Sequence, residues 1–115
     1  MPADADNVLH LLAVADAATI ARLTDDLRYS DDPSVLVAVA LFAPEPAGLL
    51  RRAAVVATTS RDRQAVAIAA TYLAGDRDRV GVLARDHLVE HPDSVLVAWI
   101  ATAARHLTTN RKDQS

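Results

Sequence analysis

Two apolar runs flank a single Gly-Asp pair, and no other feature constrains this chain as tightly. The first run, Ala65 to Ala74, stops at Gly75-Asp76; the second, Val80 to Val89, stops at His91-Pro92. Glycine enters left-handed backbone without a Cβ clash, so a glycine after an apolar periodic run reads as a helix stop. Asp76 offers a carboxylate to cap the helix that follows. Pro92 bars helical geometry at His91 and closes the unit. The stretch from Arg61 to Ser94 is therefore predicted to be a helical hairpin, with Gly75 at positive φ.

The rest of the chain is punctuated in the same way. Asn7 to Val14 is a short apolar helix starting from Asp4 or Asp6. Asp16 to Tyr29 sets Ala17, Ile20, Ala21, Leu23 and Leu27 against a face of Arg22, Asp25, Asp26 and Arg28, the pattern of an amphipathic helix. Asp32 then Pro33 is an N-cap followed by a first-turn proline. Val35 to Ala43 is apolar on every side. Its composition also suits a buried strand, but the cap is helical and no second strand exists to pair with it. A helix of that kind belongs at the centre of a fold. Ala43-Pro44-Glu45-Pro46 breaks it and opens a helix from Ala47 to Ala57, with Arg51 and Arg52 outward. Thr59 and Asp62 have capping-box-like spacing. Asp93-Ser94 caps a last helix from Val95 to about Leu107.

Ser94-Val95-Leu96-Val97-Ala98 repeats Ser34-Val35-Leu36-Val37-Ala38 letter for letter, which implies internal structural equivalence. Thr108 to Ser115 is polar and expected to fray. Residues 1–107 thus form one domain and 108–115 a tail. About seven helices in antiparallel pairs make an all-α fold.

The stretch 61–94 resembles the tetratricopeptide repeat family. On its 34-residue pattern Gly75 and Asp76 fall on the interhelical Gly-Asp, Asp78 on an acidic position, Leu88 on an apolar one and Pro92 on the closing proline. Ile68, Val80 and His87 depart from it, standing where the family has Gly or Ala, and would move the two helices apart or change their crossing. Residues 2–35 fit less well, matching at Ala21 and Pro33. The resemblance implies a short right-handed α-solenoid, or a compact bundle derived from one. It also implies a groove for a peptide or helix, lined by Asp62, Ala65, Ala69 and Tyr72, then Leu96, Trp99, Ala103 and His106. Asp6, His10 and Ala13 would add to it.

Composition narrows the function. Apolar residues make up 51% and aromatics 3%, so the core must be built from Ala, Val and Leu. A domain of 115 residues buries roughly 65% of its unfolded surface and needs no staple. There is no cysteine, which removes disulfides and thiolate metal sites. No Arg- or Lys-led apolar segment opens the chain, so no signal peptide is expected. The longest apolar run, Val35 to Ala43, is far below the roughly 20 residues that span a bilayer. The expected location is the cytoplasm, and the excess of Arg over Lys suggests a GC-rich bacterial source. Eight acids face two bases up to Leu50, and ten bases face seven acids from Arg51 onward. That asymmetry can steer a partner or favour head-to-tail self-association.

Chemical motifs are few. His87-Leu88-Val89-Glu90-His91 has H-x-x-E-H spacing, but His91 precedes a proline, no glutamate follows as a third ligand, and the chain is too small for a peptidase cleft. The pair reads as surface histidines near a helix C-terminus, with no metal site. Arg-Asp alternation at 61–63 and 76–79 reads as solvated helix starts. The three glycines are isolated and make no phosphate loop, and no serine sits in a nucleophile elbow. The expectation is a non-enzymatic module without cofactor. It binds a protein segment or itself as a homodimer, with Trp99 or Leu96 in the interface. One alternative is a nucleic-acid-binding or regulatory domain using Arg51, Arg52, Arg61, Arg63, Arg77 and Arg79, although the net charge of −3 does not favour it. A small-molecule binder or enzyme fragment, with a dry pocket near Tyr72, is a further alternative.

Overall fold

A computed structural model describes the backbone of residues 5–113 and the side chains of residues 5–105. Among these residues there are seven α-helices and no strand. They are α1 (Ala5–Val14), α2 (Ala17–Leu27), α3 (Pro33–Ala40), α4 (Ala47–Val56), α5 (Ser60–Leu73), α6 (Arg77–Glu90) and α7 (Val95–Asp113). Asp4, one expected start of α1, and the side chain of His106 lie outside the described residues. The last helix continues past Leu107 to Asp113.

Each cap read from the sequence from Asp32 onward is made. Asp32 accepts from the Ser34 amide (3.0 Å), Thr59 from Asp62 (3.1 Å), Asp76 from Arg79 (3.2 Å) and Ser94 from Val97 (3.3 Å). Asp16 caps α2 through the Thr19 amide (2.8 Å). Helix α4 differs: Pro46 stands at its N-cap and supplies no side-chain bond. Gly75 has φ of 86°. Its amide donates to Tyr72 O (3.0 Å) and the Asp76 amide to Thr71 O (3.3 Å). These are the two bonds of a Schellman motif, so the hairpin stops where glycine allows it to.

The four odd-numbered helices form the inside of the molecule. Helices α1, α3, α5 and α7 touch in succession, and α7 returns to α1 to close a ring. Their first turns meet around a cavity of 180 Å³. The even helices lie outside: α4 packs on α3 and α5, α6 on α5 and α7, and α2 on α3. Val35 to Ala40 are each at most 1% exposed, because α3 has α1, α2, α4 and α5 around it. A helix apolar all round requires that many neighbours. Helix α2 buries no residue fully and rests on the core through Ile20, Leu23 and Leu27.

The repeated pentapeptide marks a larger correspondence. Shifting by the same 60 residues carries Asp16, the cap of α2, onto Asp76, the cap of α6, and α3 onto α7. The contact of α1 with α3 recurs as α5 with α7, and that of α2 with α3 recurs as α6 with α7. Helix α4 covers α3, whereas no described helix follows α7.

Candidate interaction surface

Of the groove residues expected from the sequence, three fall inside the ring. Ala65, Ala69 and Leu96 belong to the core, because α5 and α7 pack face to face there. Tyr72 and Trp99 are half-buried. The Trp99 ring lies 5.2 Å from Phe42 and 6.2 Å from Tyr72, the latter edge-on. Such tilted contacts are the favoured aromatic geometry. Burial raises the Tyr72 phenol above its ordinary pKa, opposed by Arg77. Ala103 is half-buried; His10 and Ala13 are exposed on α1, and Asp6 and Asp62 border the cavity at the helix starts.

The outer side of α7 is different. Ala98, Thr102 and Arg105 are open, and Val95, which also borders the cavity at the helix starts, is 39% exposed. These positions are spaced three, four and three residues apart, one continuous stripe on a helix. Between this stripe and α6 lies a groove of 460 Å³. Its floor is small-residued, with Gly81 from α6 and Ala98 and Ala101 from α7; Leu88 and Val89 form the α6 wall. Arg85 and Arg105 flank it. On the other side of α6, against α5, is a cleft of 250 Å³ with Ala67, Ile68 and Leu83 inside and Asp86 and Glu90 at its edge. Helix α6 is thus a ridge between a cationic groove and an acidic one, and its crest exposes Val82 and Val89.

His87 is not a surface residue. It is 3% exposed, because it shares the inward stripe of α6 with Val80 and Ala84. Its Nδ1–H donates to Gln64 Oε1 (2.8 Å), its ring lies 4.8 Å from that of His91, and its Nε2 is buried with no partner. Burial lowers its pKa below the ordinary histidine value. His91 and Arg61 push the same way, against Glu90 and Asp93. A neutral imidazole with a free lone pair has the form of a base, but no hydrogen bond joins it to Ser34 or Ser94, which line the same small cavity. A nucleophile–base pair requires that reach. Among the described residues no three His, Asp or Glu side chains gather around one point in a metal-holding arrangement.

The arginines of the basic half are dispersed and partly engaged. Arg52 donates to Tyr29 O (2.9 Å), Ser30 O (3.0 Å) and Asp31 Oδ1 (2.9 Å), which pins α4 to the turn before α3. Arg61 pairs with Asp93 (3.2 Å). Arg77 has its Nε buried without a partner. A concavity of 890 Å³ lies between the end of α2, the start of α4 and the end of α5, and includes Arg28, Arg51 and Arg52. Arg28 is paired with Asp25 (3.6 Å) and Arg52 is held as above.

Arg85, Ala98 and Arg105 were not legible as a set, since α7 carries apolar residues on several faces. The spacing 95–98–102–105 is the available signal. It runs one residue ahead of the expected stripe 96–99–103–106, a rotation of about 100°. The chain matches no protein-family model, no curated protein and no solved structure.

Proposed function

We propose that this chain is a non-enzymatic interaction module that binds a segment of another protein. The supporting observation is the open face of α7: residues wholly covered in α3 have counterparts on α7 that are exposed among the described residues. An apolar face left without a neighbour is the usual mark of a docking surface. The finer architecture is a short right-handed α-solenoid of antiparallel hairpins, closed on itself by α7 and α1, with 61–94 as a divergent tetratricopeptide-like unit. The uneven charge of the two halves supports a second copy, aligned head to tail, as the other candidate partner. Composition supports a bacterial, cytoplasmic setting, and the half-buried Tyr72 and Trp99 edge is the second candidate surface.

Photo-crosslinking in the native cell tests the reading. A photoreactive residue at position 98 should give a discrete protein adduct, and one at Ala18, exposed on α2, should give none. No adduct from positions 98, 95 or 99 would overturn the interaction-module reading.

A further inference from the structure

Helix α3 has four neighbours, and α7 has α5, α6 and α1. Under the 60-residue correspondence α5 stands for α1 and α6 for α2, while α1 closes the ring as α5 does beside α3. Among the described residues α7 has no counterpart of the α4 contact. The consequence is visible residue by residue: Val35 and Ala38 are fully buried, whereas Val95 is 39% exposed and Ala98 is open. The face of α7 left open borders the α6–α7 groove. Its floor of Gly81, Ala98 and Ala101 lets a backbone come close, as ridge-in-groove packing at 8–10 Å requires.

The flanks specify the occupant's charge. Arg85 and Arg105 are exposed and neither takes part in an ion pair among the described residues; the pairs found use Arg28, Arg52 and Arg61. The nearest acids of α6, Asp86 and Glu90, border the opposite cleft. Self-association through this groove is disfavoured, because a two-fold contact sets the same patch against itself and brings the arginines together. The exposed acids of α2, Asp25 and Asp26, do not solve this, since its apolar side is already spent on the core.

Resting on the interaction-module reading, we propose that the α6–α7 groove binds an acidic amphipathic helix of a partner protein, seated on α7 as α4 is seated on α3. Small aliphatic side chains of that helix meet Ala98 and Ala101, and flanking Glu or Asp residues reach Arg85 and Arg105. The acidic cleft on the other side of α6 repels the same helix, so the two grooves discriminate by sign.

The test is an amide-resolved NMR titration of the full chain with two synthetic helical peptides of about 15 residues. Both carry one Leu/Ala stripe; one is flanked by Glu and the other by Lys. The Glu peptide should perturb residues 81–89 and 95–105, and bind at least about tenfold tighter than the Lys peptide at low salt, with the gap shrinking as salt rises. Arg85→Glu with Arg105→Glu should reverse the preference. Ala98→Arg should abolish binding while the rest of the spectrum stays that of the folded chain. Equal binding of the two peptides, perturbation confined to α5 and the acidic cleft, or no binding by either would overturn the proposal. So would concentration-dependent sedimentation in which the wild type associates through Ala98. If position 98 crosslinks a partner in the cell while the charge preference is absent, the acidic-helix chemistry fails and the interaction module stands. If crosslinking also fails at positions 95, 98 and 99, both fall.

Discussion

Helices α3 and α7 open with the same Ser-Val-Leu-Val-Ala and meet opposite surroundings. In α3 the four residues after the serine are sealed; in α7 Leu96 and Val97 are buried while Val95 and Ala98 face outward. The two inward residues of α7 show that the letters suffice to place one face against the ring. The other face is settled by what packs over it. Helix α4 supplies that cover for α3, tied down by the Arg52 hydrogen bonds to the turn at Tyr29 and Ser30. Identical local sequence therefore specifies a helix and half of its burial, and the neighbours specify the remainder.

The largest break in this comparison comes from inserting charge. Ala38→Arg forces a guanidinium into a sealed site without a partner, which should cost about 3–5 kcal/mol or more and leave little folded protein. Ala98→Arg should change stability by no more than about 0.5 kcal/mol, the range of ordinary surface substitutions. Urea unfolding of the two variants measures the difference. Comparable losses at both sites would mean that α7 is covered as α3 is.

Removing methyls gives a finer version. Val35→Ala should cost about 2 kcal/mol from lost burial and the cavity left behind, while Val95→Ala should cost about 0.5. The comparison fails if the two midpoints shift equally.

Much of the fold was legible because its signals are local. Gly75 announced the hairpin stop, and Asp32, Thr59, Asp76 and Ser94 announced helix starts; each acts within a few residues of itself. Val35–Ala43 was legible as central because no other place tolerates a helix without a polar face. The surface was less legible. Ala65, Ala69 and Leu96 of the expected groove stripe lie inside the ring, because a sequence does not state that α7 returns to α1. His87 looked like a surface residue since histidine near a helix C-terminus usually is one. Its burial follows from the stripe it shares with Val80 and Ala84, and from Gln64 on α5, 23 positions away, which satisfies Nδ1.

Two glycines should respond with opposite sign. Gly75 and Gly81 both have open space where a Cβ would go, so packing does not separate them. Gly75 has φ of 86°, and Gly75→Ala should cost about 1 kcal/mol of backbone strain. Gly81 lies inside α6 at the position corresponding to Ala21 of α2. Gly81→Ala should stabilise by about 0.5–1 kcal/mol through helix propensity. It also raises the floor of the α6–α7 groove, so stability and peptide binding should move in opposite directions. A stabilised Gly75→Ala would show that the hairpin turn tolerates a side chain.

The last contrast is confined to acid. Leu27 of α2 corresponds to His87 of α6, so a titratable group is buried in the second half where the first half has an aliphatic one. The folded pKa of His87 lies below the ordinary value of 6.5, chiefly through burial. Between the folded pKa and 6.5 the unfolded chain binds more protons than the folded one, so stability rises with pH in that window. It is complete above 6.5 and declines as pH falls through the folded value. Asp16 and Asp93 also weaken the fold in acid, but both titrate below the ordinary aspartate value of 3.8, which places their effect lower. His87→Leu copies the residue of α2 and leaves only Gln64, already exposed, to take water instead. At neutral pH the change should be close to neutral in stability. As pH falls from about 6.5 to 5, within the range where histidine titrates, the urea midpoint of the wild type should fall, and that of His87→Leu should stay nearly level. Parallel pH profiles for the two proteins would show that His87 is protonated in the fold as readily as in the unfolded chain, and that its burial does not set the acid sensitivity of the second half.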